Sequence, residues 1–298
     1  VKNEHGQEHT VIAWIWARTV KCPNPACGCE MPLANSFELS KKKGKEAYIQ
    51  PIIEGNKIHY EVKRGKNAPE PPKTSRGKFK CVFCDSPVDG GYIKAEGVAK
   101  RMGVQLMAVI AESDRGRLYI TPDDEQKKAA FCPLPEDVPN GELIGKAADQ
   151  LPLYGYTTFS ELFTNRQMTA LTTFRNLVSE AQNQVIVDGG SQDYAKAIGV
   201  YLAFSVDKIS DTNSMCVSWN ITRDGLRNTF ARQALAMTWD FAEGNPLGNS
   251  SGCYSNALDW IQRSLLTLPA EKKGFAEQRD AQTDNGLRSI MVSTDPPY

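Results

Sequence analysis

The chain ends in Asp295-Pro296-Pro297-Tyr298, four residues whose types and order suit the activation of an amino group. An exocyclic amino nitrogen is a poor nucleophile because its lone pair is delocalised into the ring. A carboxylate from Asp295 and a backbone carbonyl at Pro296, accepting its two hydrogens, would favour the pyramidal, nucleophilic form. They would also stabilise the positive charge that builds as a methyl group arrives from a sulfonium donor. Pro296 and Pro297 have fixed φ and no N–H, which holds carbonyls outward at the end of a strand. Tyr298 offers a flat face on which an extruded base can stack. The plainer interpretation is a strand that stops at prolines before a loop. Leu287 to Thr294, apolar at its centre and polar at its ends, predicts the strand itself, running into a buried parallel sheet.

The second constellation is made of sulfur. Of eight cysteines, five fall in two tight groups, Cys22-Pro-Asn-Pro-Ala-Cys27-Gly-Cys29 and Cys81-Val-Phe-Cys84. Turn-forming residues beside each group let the backbone aim its thiolates at one point. Four thiolates around Zn²⁺ close a tetrahedral site, which marks a structural metal rather than a catalytic one. Cys22, Cys81 and Cys84 are three candidate ligands, and the fourth is Cys27 or Cys29. The Cys22-x4-Cys27 interval lies at the upper end of usual ligand spacing and Cys22 to Cys29 lies beyond it, which favours Cys27. Disulfides are the alternative. They suit an exported chain, and Val1 to Gly6 shows neither a basic start nor an apolar signal region. Cys132, Cys216 and Cys253 are isolated and read as ordinary core or surface thiols.

Elements that would position these groups follow from the pattern. Val11 to Val20 predicts a strand leading into Cys22, and Glu46–Glu54 with Lys57–Lys63 predicts a hairpin turning at Glu54-Gly55-Asn56. Gln105–Glu112 and Arg117–Thr121 predict another, turning over Ser113 to Gly116. A Pro- and Gly-rich loop from about Cys132 to Gly155 is the best boundary candidate. It suggests a β-rich 1–131 segment holding the ribbon and a mostly helical 132–298 segment. Met168, Leu171, Phe174, Leu177 and Val178 recur at helical spacing behind Thr164, a plausible N-cap. Gln192–Val206, Thr229–Trp239 and Asn256–Leu266 are three further helix candidates.

Composition narrows the class. At 298 residues and 41% hydrophobic the chain can bury a sizeable core, and no apolar run approaches a membrane span. A cytoplasmic protein is expected. Net charge is zero, yet residues 1–101 carry 18 Lys/Arg against 11 Asp/Glu, so the remainder is correspondingly acidic. Lys41-Lys42-Lys43-Gly44-Lys45, Lys63-Arg64-Gly65-Lys66 and Lys73 to Lys80, interleaved with Tyr48, His59, Tyr60 and Phe79, suit contact with a nucleic-acid backbone. They equally suit a solvated face.

Several stretches together resemble the zinc-ribbon-containing adenine-specific DNA methylases. They are Trp16-Ala-Arg-Thr-Val-Lys-Cys-Pro-Asn-Pro-Ala-Cys-Gly28 with Met31-Pro32-Leu33, Arg101 to Ala108 with Asp114-Arg-Gly-Arg117, and Leu162 to Gln167. Phe230 to Ala234, Trp239 to Glu243 with Asn245-Pro246, and the terminal Asp-Pro-Pro-Tyr complete the set. The resemblance implies an α/β enzyme, Rossmann-like and S-adenosylmethionine-dependent, with an inserted β-rich zinc ribbon. It implies DNA as substrate, adenine N6 as the preferred acceptor with cytosine N4 open, and in several cases partners in phage defence or restriction. In this family a glycine-rich S-adenosylmethionine loop precedes the ribbon. No such loop is present here, and the chain lacks an initiator Met, so it reads as a piece of a longer enzyme, inactive by itself. A zinc-ribbon module for nucleic-acid binding or assembly, without catalysis, is the competing interpretation.

Overall fold

The computed structural model describes residues 1–298 apart from 4, 115, 233, 269–273, 281, 284–285 and 296–298. Its elements run β1 (Val11–Lys21), β2 (Glu30–Leu33), β3 (Glu38–Ser40), β4 (Ala47–Glu54), β5 (Lys57–Arg64), β6 (Lys73–Ser75), β7 (Lys78–Lys80) and β8 (Pro87–Val88). Then come α1 (Gly90–Val98), β9 (Gly103–Ser113), β10 (Gly116–Ile120), α2 (Asp124–Ala129), α3 (Asn165–Val187) and α4 (Gln192–Thr212). The described chain continues with β11 (Trp219–Asn220), β12 (Gly225–Leu226), β13 (Asp240–Gly244) and α5 (Tyr254–Leu265).

β1 is the axis of the molecule. One of its edges pairs with β9; the other is shared, β13 lying along Ala13–Ala17 and β2 along Arg18–Lys21. A central strand with both faces covered needs apolar residues at nearly every position, and β1 has them. On one face Ile15 and Ala17, with Met107 and Ile110 of β9, pack against Phe37, Leu39, Ile49 and Tyr60 from the β3–β4–β5 sheet. On the other, Trp16 and Phe241 stack at 6.4 Å and join Leu106 and Val109. Both predicted hairpins are present, as β4–β5 and β9–β10. The sheet draws strands from both sides of the 131/132 boundary, because β13 lies beside β1.

The chain is a mixed α/β structure, but the parallel sheet expected from the sequence is not among the described residues, where every registered strand pair is antiparallel. Nor do residues 287–294 form a strand. They carry no regular structure, and Ile290, Met291 and Val292 are exposed. Among the described residues no strand pairs with 287–294, so the backbone pairing that a buried strand requires is missing there.

The helices are more local in origin. α3 opens with a capping box in which the Thr164 hydroxyl accepts from Gln167 N–H and the Gln167 side chain accepts from Thr164 N–H. Ser191 caps α4. The described residues of 229–239, expected to be helical, form bends and irregular chain instead. Thr229 and Phe230 donate their backbone N–H groups to Asp211, and Trp239 meets Phe79 and Tyr154 edge-on, each at 5.2 Å. These long-range partners override a weak helical spacing.

Asp240 opens β13 and accepts hydrogen bonds from the backbone and side chain of Asn35. Burial pushes its carboxyl up to about 6 despite those donors. For an acid raised in the folded state, the folded protein binds the extra proton. Stability is therefore fully present below the unfolded value near 4 and declines as pH rises through about 6. The ionised form is expected to cost about 2 kcal/mol once partial exposure is allowed for. Asp240→Asn keeps an acceptor for Asn35, so its urea midpoint should gain on wild type between pH 4.5 and 7. An equal difference at both pH values would show that ionisation of Asp240 carries no such cost.

Candidate metal centre

Two short turns face each other beyond the end of β1. Cys22 follows the last residue of that strand, and its N–H donates to the carbonyl of Cys29 at 2.8 Å, closing the first turn. Inside it, Asn24 accepts from Cys27 N–H at 2.9 Å and Gly28 N–H at 3.0 Å through its carbonyl, while its side-chain oxygen accepts from Ala26 N–H at 3.0 Å. Gly28 sits at φ +58°, where a side chain would be strained. The second turn joins β7 to β8: Cys81 N–H donates to Ser86 and Asp85 N–H to Cys81, both at 2.9 Å.

The turns bring Cys22, Cys27, Cys81 and Cys84 together, their sulfur atoms all within 4.8 Å of one another. Cys22 and Cys84 sulfurs are 3.7 Å apart, and those of Cys27 and Cys81 3.9 Å. Zn–S bonds of about 2.3 Å in a tetrahedron place sulfurs about 3.8 Å apart. The two closest edges therefore have the size that a four-thiolate ion requires, and they are far longer than a disulfide. Cys29 stands outside this set. It is buried, and its thiol lies 3.4 Å from the Cys27 carbonyl, to which it donates.

Surroundings differ among the four thiols. Burial pushes the Cys22 and Cys81 thiols up, whereas the hydroxyl of Ser86 beside Cys84 holds that exposed thiol down at about 6. A cation among them would drive off the remaining protons. Behind the centre lie Val20, Met31, Leu33, Phe79, Val88, Ile93 and Trp239, so the turns and a small apolar core support each other. One contributor went unread in the sequence. The Asn24 amide donates to the Ser86 hydroxyl at 3.0 Å and bridges the two turns. Its only sequence signal is an Asn between two prolines.

Asp295, the described member of the terminal motif, is exposed and outside any regular element. Pro296, Pro297 and Tyr298 lie outside the described residues, and nothing from 286–295 belongs to the cysteine cluster. Comparison with family models, with curated proteins and with solved structures finds no match for this chain. Among the described residues, no helix is long and apolar enough to cross a membrane.

Much of the basic segment is locally balanced. Lys41 pairs with Glu38 at 2.8 Å, Lys63 with Glu61 at 2.5 Å, Lys66 with Glu46 at 3.5 Å and Lys80 with Asp85 at 3.0 Å. Lys42 reaches the buried Asp224 at 3.0 Å, which also accepts from Ser40. That lysine anchors the β11–β12 turn to the end of β3.

Proposed function

We propose that this chain is the zinc-ribbon-bearing part of a Rossmann-like DNA amino-methyltransferase that uses S-adenosylmethionine, with adenine N6 the preferred acceptor. The observation that carries it is the convergence of Cys22, Cys27, Cys81 and Cys84 into a tetrahedron-sized cluster. It supports the ribbon that distinguishes the family the sequence resembles, and zinc is the ion that four thiolates suit. Asp295 and the carbonyl of Pro296 would bind the target amino group, and Tyr298 would stack on the base. S-adenosylmethionine would supply the methyl group, held mainly by a glycine-rich loop of a kind this chain does not contain. The test is sequencing of methylated bases in cells expressing the full-length gene. N6-methyladenine that disappears in an Asp295→Ala strain is expected. Unchanged methylation would refute the reading.

A second reading has an observation in its favour. Because 287–294 is exposed and unpaired with any described strand, the chain also fits a zinc-ribbon module for nucleic-acid binding or assembly without catalysis.

The methyltransferase reading and a nucleic-acid-binding module both predict salt-sensitive binding to DNA. Neutralising Lys41, Lys43 and Lys45 together should reduce the slope of log affinity against log salt, each lost phosphate contact removing about 0.9. Lys42 is best left in place, since its removal strands a buried carboxylate. The loss should be equal across unrelated sequences, as phosphate contacts carry no sequence information. An unchanged slope would assign these lysines to the solvated face.

A further inference from the structure

Helix α4 carries apolar residues on two faces, and only one of them is covered by described residues. Ala195, Gly199, Ser205 and Ile209 lie on the buried face, where α3 and α5 pack against the helix. At Gly199 the Gln182 side chain of α3 fills the space that a Cβ would take. On the opposite face Ala197, Val200 and Phe204 are exposed, the last two to 52% and 53%, with Tyr201 half-buried beside them. Single exposed apolar residues need no explanation, but these four recur at the helical interval and form one unbroken stripe. Asp193 closes the stripe at one end and Lys208 at the other, both exposed. At 3.6 residues per turn the six positions fall within an arc of about 100° and span about 22 Å.

The stripe is complementary to its own reverse. A two-fold axis crossing midway between Val200 and Tyr201 sets a second α4 antiparallel to the first. Val200 then faces the partner's Tyr201, and Ala197 faces the partner's Phe204, so a small side chain leaves room for each ring. Asp193 faces the partner's Lys208, which puts opposite charges at both ends of the contact. At the margin, exposed Tyr194 comes beside the partner's exposed Asp207, a hydroxyl donor against a carboxylate. Every contact occurs twice, as an isologous interface requires. Lys208 lies 3.4 Å from Asp211 of its own helix, an exposed pair of little worth that does not hold the ammonium in place.

We propose that two copies of this chain associate through α4, antiparallel about that axis. The apolar stripe supplies the attraction. The charges supply the direction, because a parallel, in-register pair would bring Asp193 onto Asp193 and Lys208 onto Lys208. One helix face against another covers less than the about 1,600 Å² of a standard stable interface, so the dimer should be weak, with a dissociation constant on the order of 10–100 µM. The pairing rests on α4 alone and needs neither a metal nor methyl transfer.

Sedimentation velocity on the chain purified without chelator, from about 1 to 500 µM, should show monomer passing into dimer. Phe204→Asp replaces an exposed ring by a charge at two places in the interface and should weaken the dimer at least about tenfold. Asp193→Lys and Lys208→Asp should each weaken it by about as much, since either one sets like charges together at both ends. Mixed in equal amounts, these two variants should recover a heterodimer of wild-type affinity, because every end contact then joins opposite charges. The helix dipole also favours an acid at the start of α4 and a base at its end, but it acts within one chain and gives no recovery on mixing. Should a charge variant lose helicity by circular dichroism, Phe204→Asp decides by itself. A chain still monomeric at the highest concentration, or a dimer indifferent to Phe204→Asp, would overturn the proposal. So would a mixture of folded charge variants that shows no recovery.

Discussion

Chelation should unfold the region from β1 to α1 and take most of the central sheet with it. Structural zinc in small units contributes apparent free energies of about 10–16 kcal/mol, comparable to the whole stability of a typical domain. Cys22 directly continues β1, and β1 contacts β2, β9 and β13, so disorder at the thiol centre reaches the axis of the fold. Elemental analysis of protein purified without chelator should find one zinc per chain. Cys27→Ser should lose it, because Cys27 is one of the four converging sulfurs, whereas Cys29→Ser should retain it. A metal-free protein with unchanged circular dichroism would dispose of the structural-zinc assignment. Metal retained in Cys27→Ser and lost in Cys29→Ser would keep the ribbon and exchange the ligand.

What could be read from the sequence was local. The turns that aim Cys22, Cys27, Cys81 and Cys84 are built within a few residues of each thiol, so spacing alone announces them. β1 declared itself by an apolar run, β4–β5 by its turn at Gly55, and α3 by its Thr164 cap. Residues 229–239 misled because Asp211, and the Phe79 and Tyr154 rings that each meet Trp239, distant in sequence, outweigh their helical spacing. The terminal strand misled for a similar reason. An apolar centre proposes a strand, but only a partner edge can make one, and no described strand pairs with this segment. The buried Trp16 Nε1, Gln167 Nε2 and Asn213 Oδ1, which lack a partner among the described residues, were illegible for the opposite reason: such gaps show only when every other donor and acceptor has been placed.

If the proposed methyltransferase reading holds, replacing Asp295 by Ala in the full-length protein should abolish methyl transfer while leaving S-adenosylmethionine binding largely unchanged. On that proposal the carboxylate would act on the target amino group, where its value is greatest as positive charge develops. Removing one preorganised group of that kind typically costs on the order of a hundredfold or more in rate. The loss should therefore fall on kcat rather than on cofactor affinity, which separates a group touching the reacting nitrogen from one that merely holds the fold. Asp295 is exposed and outside regular structure among the described residues, so its replacement should leave the thermal stability of this chain unaltered. Tyr298→Phe should be tolerated because stacking needs the ring, whereas Tyr298→Ala should chiefly weaken capture of the base. Single-turnover methylation of a duplex carrying labelled adenine measures each of these. Wild-type rates in Asp295→Ala would remove the amino-activating role from the terminal acid. Equal losses in rate and in cofactor binding would make that acid a structural residue instead.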